Sequence, residues 1–199
     1  VKTKLDEQAI KLDRDGFFAY LREQRHLVPP LKCDTITTQS KHWMKKHPNR
    51  LENETLHRAE QAFVSDITYV ETDEGVHYLS LVTDAYSRKI MGYEVSADLR
   101  AESVVKALRR AARQRTTRRP LLHHSDRGLQ YCSAIYQQEL SRHGMTPSMT
   151  DGYDCYQNAL AERVNGILKQ EFLLYKCRTL NDLKSLVEDS VDIYNRLRP

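Results

Sequence analysis

The sequence predicts an α/β fold in which a mixed β-sheet carries helices on both faces. From residue 62 onward the strand-like and helix-like patterns follow one another in the order βββαβαβαα, which is typical of such a sheet. The chain has 199 residues, of which 40% are hydrophobic and 29% charged, and this is enough for one sizeable core. No apolar run approaches the roughly 18 residues of a membrane span. With no signal-peptide pattern either, we expect no membrane partner and a cytoplasmic protein.

Two segments precede the predicted core. Residues 13–28 place Phe17, Phe18, Leu21 and Leu27 behind acidic residues, which predicts a short amphipathic helix. From residue 31 the composition becomes polar and basic, without a clear period. We therefore divide the chain into an N-terminal helical segment (1–30), a connector or arm (31–61) and a core (62–199).

The core elements can be predicted one by one. Three runs rich in β-branched and aromatic residues, 62–70, 77–85 and 88–97, follow at hairpin-like spacing and predict antiparallel strands. Residues 100–114 place apolar side chains on one helical face and arginines on the other. The remaining elements are a strand at 120–125, a helix near 131–143, a short strand near 145–149, a helix from Asn158, and a last helix that begins with Thr179 and Asp182 in a capping-box arrangement.

Basic charge is concentrated in one stretch of the chain. The formal net charge is +4, and between residues 100 and 119 eight basic residues stand against one acid. Such an edge suits a polyanionic partner, although a solvated helix face has the same composition. The arginines that we expect to contact the phosphates of such a partner are Arg109, Arg113, Arg118 and Arg119. The cysteines, Cys33, Cys132, Cys155 and Cys177, lack a zinc or disulfide spacing, and we expect reduced thiols.

Three carboxylates stand out by their positions. Asp66 lies inside the apolar run FVSDITYV, and Asp126 ends the apolar run of LLHHSDRG. Glu162 falls near the first turn of the helix that Asn158 begins. Each has a plain structural explanation: an edge position, a turn residue, and a favourable helix-dipole position. If strand 120–125 pairs beside the first strand, however, Asp66 and Asp126 approach each other.

Converging carboxylates suit Mg²⁺ or Mn²⁺, because hard cations prefer oxygen ligands. Two such ions activate a hydroxyl nucleophile and stabilise the leaving oxygen of a phosphodiester. Asn165 and Lys169 stand three and seven residues after Glu162 and share its helical face, so we expect both to face the same site. For His124, beside Asp126, we expect a buried, hydrogen-bonded core position.

The ordered set SDITYV, HHSDRGLQYCS and NALAERVNGILKQEF, with 35 residues between Asp126 and Glu162, resembles the Asp-Asp-Glu core of bacterial insertion-sequence transposases related to retroviral integrases. The resemblance extends from about Phe63 to the closing YNRLRP, and DRDGFFAYLREQRHLVPP resembles the segment before this core. Phe63 and Val64 stand where the family often has a tryptophan. No helix-turn-helix pattern is evident before residue 13, so we do not expect these residues to recognise specific DNA ends.

The resemblance implies a ribonuclease-H-like fold with a five-stranded sheet and two divalent ions, Mg²⁺ or Mn²⁺, in each active site. It implies a DNA transposase that cleaves transposon ends and transfers strands to target DNA, as a homo-oligomer on bacterial nucleoid DNA. Asp66, Asp126 and Glu162 take the catalytic and metal-binding positions, and Asn165 and Lys169 take positions that meet DNA in related integrases. Two alternatives remain open: a ribonuclease-H-type nuclease, and a catalytically inactive DNA-binding remnant.

Overall fold

A computed structural model describes residues 14–24, 42–52, 54–151, 158–173 and 175–197. The chain divides into two compact units, residues 1–35 and residues 36–199. In the first unit, helix α1 (Arg14–Glu23) has ten residues and carries Asp15 in its first turn and Arg22 in its last. It is shorter than the predicted helix, of which residues 13 and 25–28 lie outside the described residues.

A five-stranded sheet forms the centre of the second unit. Its strands are β1 (Ala62–Thr72), β2 (Gly75–Asp84), β3 (Ile90–Ser96), β4 (Leu121–Ser125) and β5 (Met145–Met149). Their spatial order is β3-β2-β1-β4-β5, so β1 is central. The β1–β2 and β2–β3 pairs are antiparallel, whereas β4 runs parallel to both β1 and β5. The predicted mixed five-stranded sheet with flanking helices is therefore confirmed.

Helices cover both faces of this sheet. They are α2 (Ala101–Arg113), α3 (Leu129–Cys132), α4 (Ala134–Arg142), α5 (Ala159–Ile167) and α6 (Leu180–Leu197). One core cluster joins Phe63 to Leu108 of α2 and Tyr136 of α4. A second cluster joins Leu79 to Val164 of α5 and to α6. Because the two clusters use different helices, the sheet separates two apolar layers, as the element order predicts.

Two predicted helices are interrupted. The helix expected near 131–143 is divided at Ser133, whose backbone is extended and whose hydroxyl accepts the Tyr136 N–H at 3.4 Å as the N-cap of α4. Beyond α5 the chain continues as a π-helical turn, Leu168–Phe172. The π-helical turn changes the angular position of the residues that follow α5, because it contains more residues per turn than an α-helix. Sequence periodicity does not predict such a change.

Residues 42–52 lie against the core, at the edge that β5 forms. The Met149 N–H donates to Pro48 O at 3.4 Å, and the Arg50 N–H donates to Ser148 Oγ at 2.8 Å. Met44 packs against the first core cluster. Part of the segment predicted as a connector or arm thus belongs to the same compact unit as the sheet. None of the described helices is long and apolar enough to cross a membrane.

Glu60 joins the beginnings of the two central parallel strands. It precedes β1, has a φ of 57°, and is only 4% exposed. Its carboxylate accepts hydrogen bonds of 2.7–3.0 Å from the backbone N–H and the hydroxyl of both Thr116 and Thr117, which precede β4. Burial alone raises the pKa of Glu60, but these four bonds outweigh it and lower the pKa to about 2.

Candidate active site

Asp66 and Asp126 are brought together by the pairing of the two central strands. In the parallel β1–β4 pair, Ala62 lies opposite Leu122 and Val64 opposite His124. Extending the same offset by two residues places Asp66 beside Asp126, at the end of β4. Asp126 also begins a turn, because its Oδ1 accepts the Gly128 N–H at 2.9 Å. The predicted turn at Asp126 is therefore observed, and it is compatible with the position of Asp126 next to Asp66.

Gly128 allows the Asp126 carboxylate to bend back over this turn. A Cβ atom on Gly128 would stand 3.0 Å from Asp126 Oδ1 and 3.2 Å from Gln130 Oε1. A side chain at this position would therefore press on the carboxylate. The glycine keeps the space around Asp126 open.

Glu162 reaches the same place from α5, which two asparagines attach to β1. Asn158 Nδ2 donates to Ser65 O at 3.3 Å, and Asn165 Nδ2 donates to Asp66 Oδ2 at 2.7 Å. Asn158 stands at the N-cap of α5, as predicted, but its side chain makes no capping bond and is used for this contact with β1. The helix is thereby held with Glu162 close to both aspartates.

The three carboxylates interact electrostatically. Burial raises the pKa of Asp66 to about 7, and the negative charge of Asp126 adds to this effect. Burial and the charge of Asp126 also raise the pKa of Glu162. The Asn165 hydrogen bond opposes the shift of Asp66 but does not cancel it. The cluster thus concentrates negative charge for which a cation is the natural complement.

The donor set fits a hard divalent cation. Among the described residues, no group of three His, Cys, Asp or Glu side chains is already arranged to hold a metal ion. The carboxylates of Asp66, Asp126 and Glu162 nevertheless interact electrostatically, and carboxylates are the ligands that Mg²⁺ and Mn²⁺ prefer. Asn165 Oδ1 is buried and has no hydrogen-bond partner within the described part of the chain, so it can accept a bond from a cation-bound water.

The predicted DNA-contacting residues of α5 and the following turn occupy different environments. Asn165 is 4% exposed, and its amide group is used to hold Asp66. Lys169 lies in the π-helical turn, where its Nζ stands 4.2 Å from the centre of the Tyr69 ring and 3.4 Å from Thr68 Oγ1. These contacts place Lys169 along β1, two to three residues beyond Asp66.

The predicted DNA-contacting arginines lie elsewhere on the fold. Arg118 and Arg119 are exposed and precede β4, whereas Asp126 follows this strand. At about 3.3 Å per residue, the strand separates them from Asp126 by roughly 16 Å. Arg113 is exposed on α2, and Arg109 forms a 2.9 Å ion pair with Glu139. The structure does not bring these arginines to the carboxylates.

The histidines next to Asp126 have structural roles. His124 is fully buried, and its Nδ1 lies 2.9 Å from Ser148 Oγ, which confirms the predicted core position. His123 Nε2 lies 2.8 Å from Ser65 Oγ and 2.9 Å from the Tyr136 hydroxyl. Burial lowers the pKa of His123 to about 3, so the ring is neutral at pH 7. The sequence did not predict this network, since its only signal was the pair of histidines at the end of an apolar strand.

Two of the four cysteines are within the described residues. Cys132 and Cys177 are free thiols, and burial raises the pKa of both. Cys33 and Cys155 lie outside the described part of the chain.

Sequence relatives agree with the resemblance carried by these residues. Residues 57–155 and 143–199 match two Integrase core domain families. The insertion element IS600 uncharacterized 31 kDa protein of Shigella sonnei is 34% identical over 201 residues, covering 100% of this chain and 74% of that protein. The chain belongs to the insertion-sequence transposases with an integrase core. That prediction is confirmed, and nothing in these relatives favours a nuclease or a remnant.

Other members of this transposase family match shorter parts of the chain. The putative transposase of IS986/IS6110 from Mycobacterium tuberculosis is 34% identical over 143 residues, covering 68% of this chain and 51% of that protein. Transposase InsF of IS3A from Escherichia coli K12 is 42% identical over 111 residues, covering 56% of this chain. The chain spans about half of the IS986/IS6110 transposase and 38% of InsF.

Solved structures agree with the fold. A chain of the simian T-cell lymphotropic virus intasome aligns with a TM-score of 0.63 at 19% identity, covering 81% of this chain and 56% of that chain. The HTLV-2 integrase catalytic core domain, solved in complex with magnesium, aligns with a TM-score of 0.56 at 19% identity, covering 70% of this chain and 89% of that chain. The ribonuclease-H-like fold expected for this transposase is thus confirmed.

Proposed function

We propose that this chain catalyses Mg²⁺- or Mn²⁺-dependent cleavage of transposon ends and their transfer to target DNA, with Asp66, Asp126 and Glu162 as the catalytic residues. The observation that carries the proposal is the convergence of the three carboxylates, in which Asp126 raises the pKa of both Asp66 and Glu162. Family membership supplies the substrate class, DNA. The proposed partners are transposon ends, target DNA at the nucleoid and further copies of this chain.

Each residue has a defined task in this reaction. Asp66, Asp126 and Glu162 would hold two divalent ions, which activate the attacking oxygen and stabilise the leaving one. Asn165 holds the Asp66 carboxylate in position through its 2.7 Å hydrogen bond. The turn at Gly128 fixes one oxygen of Asp126 and leaves room beside it.

Both chemical steps are in-line displacements at phosphorus. In cleavage, a water oxygen forms a bond to the phosphorus, the P–O3′ bond breaks, and the departing 3′ oxygen takes a proton. In strand transfer, that 3′ hydroxyl loses its proton and attacks a target phosphodiester, whose own 3′ oxygen leaves. Both steps use the same carboxylates, because the attacking and leaving oxygens occupy equivalent positions.

The proposal is tested with variants that keep shape and remove charge. We expect Asp66→Asn, Asp126→Asn and Glu162→Gln each to reduce joining of labelled DNA ends by at least about a hundredfold, because an amide is a poor ligand for a hard cation. Glu71→Gln, on the exposed side of β1, is the matched control and should join ends normally.

The products separate the candidate functions. Joined DNA identifies a transposase, cleavage without joining identifies a nuclease, and DNA binding without either reaction identifies a remnant. Joining at the level of the unsubstituted protein by any of the three variants, at saturating Mg²⁺, would contradict the assignment of that residue. Circular dichroism melting should show that all variants remain folded.

A further inference from the structure

The chain carries an exposed tryptophan, Trp43, next to a residue that bonds to the loop after Asp126. Trp43 is 91% exposed, the largest exposed fraction among the large apolar side chains of the described residues. An isolated exposed aromatic is ordinary on a protein surface. What distinguishes Trp43 is that its neighbours on both sides are anchored while its own ring is left in solvent.

The residues on either side of Trp43 are held by the loop after Asp126 and by the hydrophobic core. His42 Nε2 donates to Arg127 O at 2.7 Å, and Arg127 is the residue after Asp126. On the other side, Met44 packs against the first core cluster. Lys46 Nζ adds a 3.3 Å bond to His42 O. The backbone at Trp43 is therefore held between the loop of the catalytic carboxylate and the hydrophobic core, and the indole projects from a supported position.

The charges around Trp43 indicate the kind of partner. Lys45 and Lys46 are exposed within three residues of the indole, and Arg50 is exposed further along the same segment. Cationic side chains next to an aromatic face are the combination that binds nucleic acid with unpaired bases, since the cations contact phosphates and the ring stacks on a base. An apolar protein partner would not need the lysines.

We propose that Trp43 stacks on an unpaired base of the DNA strand whose phosphodiester lies at Asp66, Asp126 and Glu162. Lys45 and Lys46 contact the phosphates on either side of this base. The stacked base fixes the position of the DNA end relative to the carboxylates, so Trp43 acts as a positioning residue. This inference rests on the proposed function, because it requires DNA in the active site.

The chain offers a direct spectroscopic test, because Trp43 is its single tryptophan. Indole fluorescence is recorded while the protein, in Ca²⁺, is titrated with a short DNA duplex that ends in two unpaired thymines. The comparison probes are the same duplex with two abasic residues at those positions and a blunt duplex. Anisotropy of fluorescein-labelled versions of the three probes measures binding independently.

We expect the unpaired thymines to quench the indole, with saturation at the concentration at which anisotropy saturates. The abasic and blunt probes should bind with little quenching. Trp43→Ala should weaken binding of the thymine probe by about fivefold to a hundredfold, and leave the abasic probe almost unaffected. Trp43→Phe should restore part of the affinity. Tyr86→Ala is the matched control, because Tyr86 is 51% exposed in the β2–β3 turn, away from the carboxylates.

Several results would overturn the inference, and they are distinguishable from failure of the proposed function. Anisotropy showing tight binding without quenching would remove Trp43 from the DNA site and leave the transposase assignment intact. Equal quenching by the thymine and abasic probes, with equal affinity loss in Trp43→Ala, would show that no base is stacked. A change of sedimentation in Trp43→Ala without quenching would assign the ring to a contact between copies of the chain. DNA binding absent from every probe would contradict both proposals.

Discussion

Glu60 and Asp66 are two acids on the same stretch of chain whose pKa values move in opposite directions. Glu60 accepts four hydrogen bonds from Thr116 and Thr117, and its pKa falls to about 2. Burial beside Asp126 instead raises the pKa of Asp66 to about 7, although Asn165 donates one bond to it. Both side chains are removed from solvent to a large degree, so the number of donors and the sign of neighbouring charges decide the outcome.

The difference separates an acid that is hydrogen-bonded within the fold from the three acids that we propose to be catalytic. Glu60 fixes the loop before β4 to the beginning of β1, where its charge is fully compensated within the protein. Asp66, Asp126 and Glu162 stand at the other end of β4, and their charges repel one another. Ionisation of these carboxylates is therefore unfavourable unless a positive charge compensates it, and under the proposed function a bound cation supplies that charge.

The largest effect on stability is expected from removing the charge of Glu60. Glu60→Gln should lower the free energy of unfolding by roughly 3 kcal/mol at pH 7, because a shift of one pKa unit corresponds to about 1.4 kcal/mol and the threonine donors no longer have a charged acceptor. Joining activity of the folded fraction should persist. Urea unfolding followed by circular dichroism measures the change, with Glu71→Gln as the control.

A Glu60→Gln protein as stable as the unsubstituted one would show that the four hydrogen bonds do not stabilise the charged carboxylate. Its pH dependence provides a second check. The folded pKa of about 2 lies below the ordinary value of 4.5, so this stabilisation is present above pH 4.5 and is lost as the pH falls towards 2.

The opposite pH dependence is expected for Asp66. Its folded pKa of about 7 lies above the ordinary 3.8, so the folded state binds more protons and stability decreases as the pH rises from about 4 to about 7. The change should amount to roughly 2 kcal/mol, discounted for coupling to Asp126 and Glu162. Asp66→Asn should flatten this part of the profile and raise the unfolding midpoint at pH 8.

Adding Mg²⁺ to the same unfolding experiment tests whether a cation binds at Asp66. Saturating Mg²⁺ should raise the midpoint of the unsubstituted protein at pH 8, because an ion that binds only the folded state stabilises it, and EDTA should reverse the gain. Asp66→Asn should show little response to Mg²⁺. A flat profile between pH 4 and 7 without metal, or an equal Mg²⁺ response in both proteins, would contradict a cation site at Asp66.

How much of the fold and of the candidate site could be predicted depends on how far apart in the sequence the interacting residues lie. Asp66 and Asp126 could be considered together in advance because each lies in or at the end of an apolar run, and the two approach each other if strand 120–125 pairs beside the first strand; the register of that pair is known only from the structure. The hydrogen bond from Asn165 to Asp66 could not be predicted in the same way. Helical periodicity predicts only which face of α5 Asn165 occupies, whereas its burial against Asp66 depends on how α5 packs. Glu60 gave no local signal, since its partners Thr116 and Thr117 lie more than fifty residues away.

Residues 42–52 show the same limit. Their sequence has no period, so nothing in it predicts that His42 reaches the loop after Asp126 or that Pro48 pairs with β5. The π-helical turn after α5 is likewise invisible to a pattern based on 3.6 residues per turn. Patterns predicted the layers of the fold, whereas single hydrogen bonds between distant segments completed the site.

The same comparison between the two ends of the sheet can be made for basic residues, starting with the arginines that precede β4. We expect the triple variant Arg113→Gln, Arg118→Gln and Arg119→Gln to flatten the salt dependence of DNA binding, by about 0.9 in the logarithmic slope for each phosphate that the protein no longer neutralises. Stability should change little, because all three side chains are exposed. Anisotropy titrations over a range of salt concentrations measure the slope.

Arg115→Gln is the contrasting variant. Arg115 donates to His143 O at 3.1 Å and to Arg119 O at 2.8 Å, so its removal should lower stability more than it changes the salt slope. A triple variant with an unchanged slope would show that this end of the sheet does not touch DNA, and that its arginines are a solvated surface.

The smallest effect, on DNA binding, is expected from substitution of Lys169. This residue follows Glu162 by seven positions and lies on the same side of the fold as the carboxylates. Its Nζ lies over the Tyr69 ring and bonds to Thr68 Oγ1, which holds the charge along β1 beyond Asp66. A phosphate next to the one being cleaved would meet this ammonium group. Lys169→Ala should therefore weaken binding of DNA ends in Ca²⁺ several-fold, whereas Lys169→Glu should weaken it further because it adds repulsion to the acidic cluster. Lys89→Ala, in the exposed β2–β3 turn, is the matched control. Equal affinities for the unsubstituted protein and Lys169→Glu would place Lys169 outside the DNA path and leave it a structural role beside Tyr69 and Thr68.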